Sequence, residues 1–335
     1  MSRSFFSNRT RRILGYIFLS VGLTIFGIAA YTAFSFNQMT RDWYEPLTGN
    51  SEPLRAQAEE PPRTITKQPI LELLKKPAPL KPFTLLLIGI DSRDGERARS
   101  DTMILATVHP DKQRAYLLSI PRDSFMHLPG RGYDKVNHAM AFGGPKLVKQ
   151  SLESFFHIKI DKYMTIDFDG FRKIVDELGG VEVNVKKRMK YTDPTDDTYI
   201  DLKPGQQTLN GKQALDYARY RKSDIGPDDS DYHRISRQQE LMRALANKGD
   251  SVQAFVKAFK LMDVMGQHVK TDLTEQEIAS LLISYYDPKD NNLETDTLKG
   301  ADERIWRHGI RGWYYLVPHK EKERIHARIK QEMAD

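Results

Sequence analysis

Residues 83–120 read FTLLLIGIDSRDGERARSDTMILATVHPDKQRAYLLSI. Three apolar runs stand out: FTLLLIG (Phe83–Gly89), TMILATV (Thr102–Val108) and AYLLSI (Ala115–Ile120). Each is short and rich in branched residues, so all three are expected as buried strands. His109-Pro110-Asp111 supplies turn chemistry between the second and third. Asp91 follows the first strand directly and Asp101 precedes the second. Antiparallel pairing of these strands would bring both carboxylates to one end of a sheet. The third strand returns to that end and delivers Arg122, in SIPRD. Strand ends are common places for active sites. Two carboxylates without cysteine suit a hard cation such as Mg²⁺. Taken singly, an aspartate after a strand is more often a turn cap; the convergence with Arg122 favours a site.

Outward from this core, strands and helices interleave. Helices are expected at Leu147–Phe156, Phe171–Leu178, Leu209–Tyr217, Tyr232–Asn247 (with Asp231 as N-cap), Val252–Met265 and Glu275–Tyr285, before a last charged helix. Further strands are expected at Tyr163–Phe168, Val181–Val185 and the aromatic run Gly312–Val317. The class is α/β or α+β. Residues 35–82 form a stalk: eight of the 17 prolines fall between 36 and 82, which disfavours helices and sheet ladders.

At the N-terminus, Ile13–Phe34 is a run of 22 residues without a charge. As a helix it is about 33 Å long, against a bilayer core of roughly 30 Å. Arg3, Arg9, Arg11 and Arg12 precede it, so residues 1–12 are expected in the cytoplasm and the body outside it. A cleaved signal peptide is the competing reading, although no A-x-A site ends the run. The chain carries +6, and without these four arginines the remainder carries only +2, a balance that argues against a nucleic-acid partner. Cysteine is absent, which excludes disulfides, thiolate metal sites and cysteine nucleophiles.

Other cationic groups qualify by pattern. In Ala218-Arg219-Tyr220-Arg221 an extended backbone would point both guanidiniums to one side, where their forks match phosphate oxygens. Arg234 and Gln238 lie one helical turn apart on the face that continues through Leu241 and Leu245. Lys135 and Asn137, in DKVNHA, are weaker candidates. No P-loop, G-x-S-x-G, H-E-x-x-H or zinc pattern occurs. Carboxylates with clustered cations fit phosphoryl-group chemistry.

Taken in order, LLLIGIDSRDGERARSDTMILATVHP, LLSIPRD, DKVNHA, GVEVNV, LNGKQALDYARYR and D-x-x-R-x-x-R-Q resemble the LytR-CpsA-Psr family over about residues 83–248. The resemblance implies an α-β-α sandwich around a central mixed sheet, held by an N-terminal transmembrane helix. It implies a membrane-anchored, Mg²⁺-dependent phosphotransferase that moves an anionic glycopolymer, such as teichoic acid or capsule, from a polyprenyl pyrophosphate carrier to peptidoglycan. Asp91 and Asp101 then resemble the magnesium-site aspartates, and Arg122, Arg219 and Arg221 the pyrophosphate-binding arginines. Arg234 and Gln238 complete the headgroup site, with Lys135 and Arg237 in motif regions. Residues 249–335 are an extension to which the resemblance assigns no chemistry. Two rivals remain: a lipid-pyrophosphate hydrolase, which needs no acceptor, and a non-enzymatic wall-associated regulator.

Overall fold

A computed structural model of the chain describes residues 43–47, 80–91, 99–195, 198–246, 268–284, 292–307 and 309–334. The expected membrane segment Ile13–Phe34 and the expected helix Val252–Met265 lie outside these residues. No helix among the described residues is long and apolar enough to cross a membrane.

The three apolar runs form β1 (Phe83–Asp91), β2 (Arg99–His109) and β3 (Arg114–Ser119), joined in antiparallel register. β6 (Lys162–Asp167) lies parallel to β1 on its other side. With β11 (Val269–Thr271) and β12 (Asn292–Thr297) the sheet has six strands, in the order β11-β6-β1-β2-β3-β12. β12 runs parallel to β3 and β11 antiparallel to β6, so the sheet is mixed.

Alternate side chains of the central strands enter two cores. Leu86, Ile88, Leu105 and Leu118 pack with Val148 and Leu152 of α1 (Val136–Phe156) and Ile325 and Ile329 of α6 (His319–Ala334). Leu85, Ile104, Ala106 and Leu117 pack with Ile278 of α5 (Glu275–Ser284) and Met242 of α4 (Asp231–Ala246). Helices therefore cover both faces, as the alternation demands. α1 is broken at Gly143 and Gly144; Gly144 has φ +63°, and Pro145 restarts the helix. The expected helix covered only the part after this break.

A third core gathers α2 (Phe168–Glu177), β7 (Val181–Val185) and α3 (Gly211–Arg219) around Val183, Leu209 and Tyr217. Two pairs flank it: β10 (Gly205–Leu209) on β7, and β8 (Met189–Asp193) with β9 (Thr198–Leu202). Two hairpins flank the end of β3: β4 (Phe125–Leu128) with β5 (Gly132–Lys135), and β13 (Ala301–Arg307) with β14 (Ile310–Leu316).

Two expectations need correction. The stalk is not wholly detached: Trp43 is fully buried, Tyr44 bridges Thr271 in parallel, and the Tyr163 hydroxyl donates to the Glu45 carbonyl at 2.5 Å. Burial of this indole offsets part of the entropy lost on ordering the short segment. Residues 249–335, expected as an extension, contribute β11 and β12 to the central sheet and α6 to its core. Arg324 of α6 holds Asp296 of β12 at 2.8 Å, and Tyr116 of β3 donates to the same carboxylate at 2.8 Å.

Candidate active site

The strand ends that carry Asp91, Asp101 and Arg122 do converge. Asp91 pairs with Arg99, Ile90 with Ser100 and Gly89 with Thr102. That register leaves Asp101 as the extra residue of a β-bulge. Bulges re-aim side chains at sheet ends, and here the bulge turns the Asp101 carboxylate to Arg122, whose Nη1 donates to it at 2.5 Å.

The turn bearing Arg122 is fixed from behind. Ser124 Oγ donates to the Pro121 carbonyl at 2.7 Å, and the first amides of α1 reach back to it. Val136 N donates to the Ser124 carbonyl at 2.9 Å and Asn137 N to the Arg122 carbonyl at 3.2 Å. Asp123 accepts from Lys135 Nζ at 2.7 Å, so Lys135 reaches the site through this carboxylate.

From the opposite side α4 brings Arg234, only 5% exposed, in an ion pair with Asp231 at 2.7 Å. Asp231 opens the helix, while Ser230 Oγ accepts from His233 N and acts as the cap in its place. The cations are crowded. Burial pulls the Arg234 guanidinium below its ordinary pKa, and the charge of Arg122 pulls it further. Burial would do the same to Arg122, but Asp101 and then Asp123 hold it above the ordinary value. The Nε atoms of both arginines are buried and make no hydrogen bond among the described residues. Buried guanidinium donors without acceptors cost free energy, and an anion would relieve it.

Beside this cluster opens a cleft of about 270 Å³, lined by Asp123, Arg221, Asp231, Tyr232, Trp313 and Tyr315, among others. The hydroxyls of Tyr232 and Tyr315 are hydrogen-bonded to each other, and Tyr315 also donates to the Leu298 carbonyl at 2.9 Å. These aromatic residues and Asp123 were not picked out as site residues from the sequence. The aromatic run was visible, but its place depends on the hairpin docking beside Ser124, where Tyr315 forms a parallel bridge.

Three sequence assignments change in detail. Residues 218–221 are not extended: Arg219 ends α3, and Tyr220 (φ −51°, ψ 122°) turns the chain. Arg219 lies over the Phe168 ring at 4.7 Å at the end of β6, and Arg221 enters the cleft. The two arginines thus come from one turn, not from one strand face. Gln238 points to the same turn, its Nε2 donating to the Ala218 carbonyl at 3.4 Å.

Arg237, expected to bind substrate, is spent on the scaffold. Its Nε donates to the Tyr217 carbonyl at 2.8 Å, its Nη1 to Asp229 at 2.7 Å and its Nη2 to the Tyr220 carbonyl. It ties the end of α3 to the start of α4 and so places Arg221. Burial would raise the Asp229 carboxyl, but hydrogen bonds from Lys187 and Arg237 hold it below its ordinary value. Arg237→Ala is expected to lower stability by about 3 kcal/mol, read as a shift in the denaturant midpoint. A depressed carboxylate stabilises the fold above its unfolded pKa and loses that contribution as the pH falls through its folded one. The deficit of the variant should therefore shrink in acid.

Asp91 and Asp101 offer two hard oxygen donors at one sheet end. Among the described residues no group of three or more ligating side chains could hold a metal. Two carboxylates are nevertheless the usual protein share for Mg²⁺ when phosphate oxygens and water complete the octahedron. The donor set fits a metal brought in with a phosphorylated substrate.

The chain matches the family model described as LytR_cpsA_psr over residues 51–331. It is 37% identical over 257 residues to the polyisoprenyl-teichoic acid–peptidoglycan teichoic acid transferase TagU of Oceanobacillus iheyensis, covering 75% of this chain and 76% of that one. The TagU of Halalkalibacterium halodurans is 32% identical over 96% of this chain and 97% of its own. Among solved structures, TagV of Bacillus subtilis superposes with a TM-score of 0.64 at 29% identity, over 76% of this chain and 98% of that one. TagT bound to LIIa-WTA superposes with a TM-score of 0.61 at 30% identity, over 76% and 92%.

Proposed function

The chain belongs to the LytR-CpsA-Psr family, and on that premise we propose that its cleft transfers an anionic, teichoic acid-like glycopolymer from a polyprenyl pyrophosphate carrier to peptidoglycan. An acceptor hydroxyl attacks the sugar-linked phosphorus and gives up its proton to a carboxylate of the site. A phosphodiester to peptidoglycan forms, the bond to the bridging oxygen breaks, and polyprenyl phosphate leaves. One observation carries the reading: Arg122 and Arg234 stand together beside the cleft, with buried Nε donors that find no acceptor among the described residues. A pyrophosphate supplies acceptors for these forks and for Arg219 and Arg221. Mg²⁺ held by Asp91 and Asp101 would neutralise developing charge on the phosphates.

The membrane reading draws support from chain direction. Tyr44 runs parallel to β11, whose first residue lies at the site end of the sheet. Trp43 and Tyr44 therefore run away from the site end. Residues 35–42 reach at most about 29 Å. An anchor at Ile13–Phe34 would hold the site end towards the bilayer, where the lipid carrier lies, with the body outside the cytoplasm.

The test combines the full chain, a polyprenyl pyrophosphate-linked saccharide and a peptidoglycan acceptor, with Mg²⁺ or chelator. Phosphodiester-linked product that needs both acceptor and metal supports transfer. Equal phosphate release without acceptor would make the protein a hydrolase. In the same assay Arg219→Lys and Arg221→Lys keep the charge but lose the fork. Each is expected to weaken lipid-pyrophosphate affinity by roughly 1–3 kcal/mol, about 5- to 150-fold. A purely long-range charge effect would show no loss on lysine substitution and would fade in salt.

A further inference from the structure

The β13–β14 hairpin carries a surface that the transfer step itself leaves unused. Its register sets Asp302 opposite Tyr315, Arg304 opposite Trp313 and Trp306 opposite Arg311. Directly opposed residues of an antiparallel pair project from the same face. These pairs therefore form three rungs on one face, spaced about 7 Å apart. The innermost rung and Trp313 line the cleft. Each outer rung holds one tryptophan and one arginine, with the strands exchanged between rungs. Trp306 is 70% exposed and Trp313 58%. The Arg304 guanidinium lies over the Trp313 ring at 5.5 Å. Arg304 and Arg311 are themselves exposed. Exposed aromatic residues grouped beside a cleft point to a binding surface.

We propose that this face is a track that holds the anionic glycopolymer as it leaves the cleft. The inference rests on the transfer reading. In such a polymer sugar or alditol units alternate with phosphodiesters. The apolar face of a sugar ring stacks on an indole, and phosphate oxygens accept from a guanidinium fork. Each outer rung offers one of each. The face also begins at the cleft, whose wall includes Trp313 and Tyr315. Asp302 is the acid on this face, and burial and then the charges of Asp231 and Asp123 hold its carboxyl above the ordinary value.

The outer rung gives the test, because Trp306 and Arg311 stand apart from the cleft lining. The probe is a long poly(glycerol phosphate) chain freed from its lipid and titrated against the full-length protein. Trp306→Ala is expected to weaken it by about tenfold, the scale of a lost stacking contact. Arg311→Ala is expected to weaken it by about fivefold, and Trp306→Phe to keep most of the affinity. Transfer from a lipid pyrophosphate bearing a single sugar should run at the wild-type rate in all three. Unchanged polymer affinity would overturn the track. So would equal binding of neutral dextran, or a loss confined to phosphatidylglycerol vesicles, which would make the face a membrane contact. If the wild type fails to transfer the single sugar, the transfer reading falls, and the polymer titration still decides the track.

Discussion

Arg122→Ala is expected to lower transfer by about 10²-fold or more while the protein stays folded. Arg122 bonds Asp101 at 2.5 Å, and on the proposed reading it is also an anion-binding fork. Removing it deletes one or two charge-assisted contacts to the pyrophosphate, each about 1.5–3 kcal/mol, and tenfold in rate is about 1.4 kcal/mol. The stability cost is far smaller. Both side chains of the pair are 22% exposed, and partly solvated pairs contribute about 1 kcal/mol at most. The loss should appear in both lipid-pyrophosphate affinity and turnover. Arg122→Lys should fall between, because lysine keeps the charge without the fork. Turnover within threefold of wild type in Arg122→Ala would remove this residue from the site.

Asp101→Asn is the second large effect, with a different signature. Asparagine fits the same bulge, so the backbone is retained. It is a poor ligand for Mg²⁺, and it leaves Arg122 with only the more distant Asp123 as an ion-pair partner, at 3.9 Å. The anion site thus becomes more positive while the metal site is weakened. We expect lipid-pyrophosphate affinity to hold or rise, and turnover to fall by about 10²-fold. Added Mg²⁺ should not restore the rate. Asp91→Asn should lower turnover in the same way. Titrating the metal against both variants separates this outcome from a folding defect, which would lower binding and turnover together. Near-normal turnover in both, or in excess chelator, would rule out the metal role.

What could be read beforehand follows from where the physics is local. β1, β2 and β3 are central strands buried on both faces, so their runs are apolar and their turns marked, and the site end followed from their order. The partial helix before Gly144 was missed because two glycines and a proline break the pattern. β12 was missed because NLETDT is polar and becomes a strand only as the edge partner of β3. The bulge at Asp101 is a matter of register between two strands, which no single stretch of sequence specifies. Arg219 was placed on the wrong geometry because α3 runs two residues beyond the expected end. Arg237 has the spacing of a headgroup ligand, yet it is buried against Asp229 and two carbonyls that only the folded α3–α4 turn supplies. The cleft aromatics depend on a hairpin docking almost two hundred positions away in the chain from the strand it meets.

The most direct test of the central claim follows the phosphorus. A donor labelled at the sugar-linked phosphate is mixed with the full chain, peptidoglycan and Mg²⁺. The label is expected to enter peptidoglycan as a phosphodiester, with one polyprenyl phosphate released per label incorporated, and Arg122→Ala and Asp101→Asn are both expected to suppress it. Label recovered as a soluble sugar phosphate monoester at the same rate with or without peptidoglycan would contradict transfer to peptidoglycan.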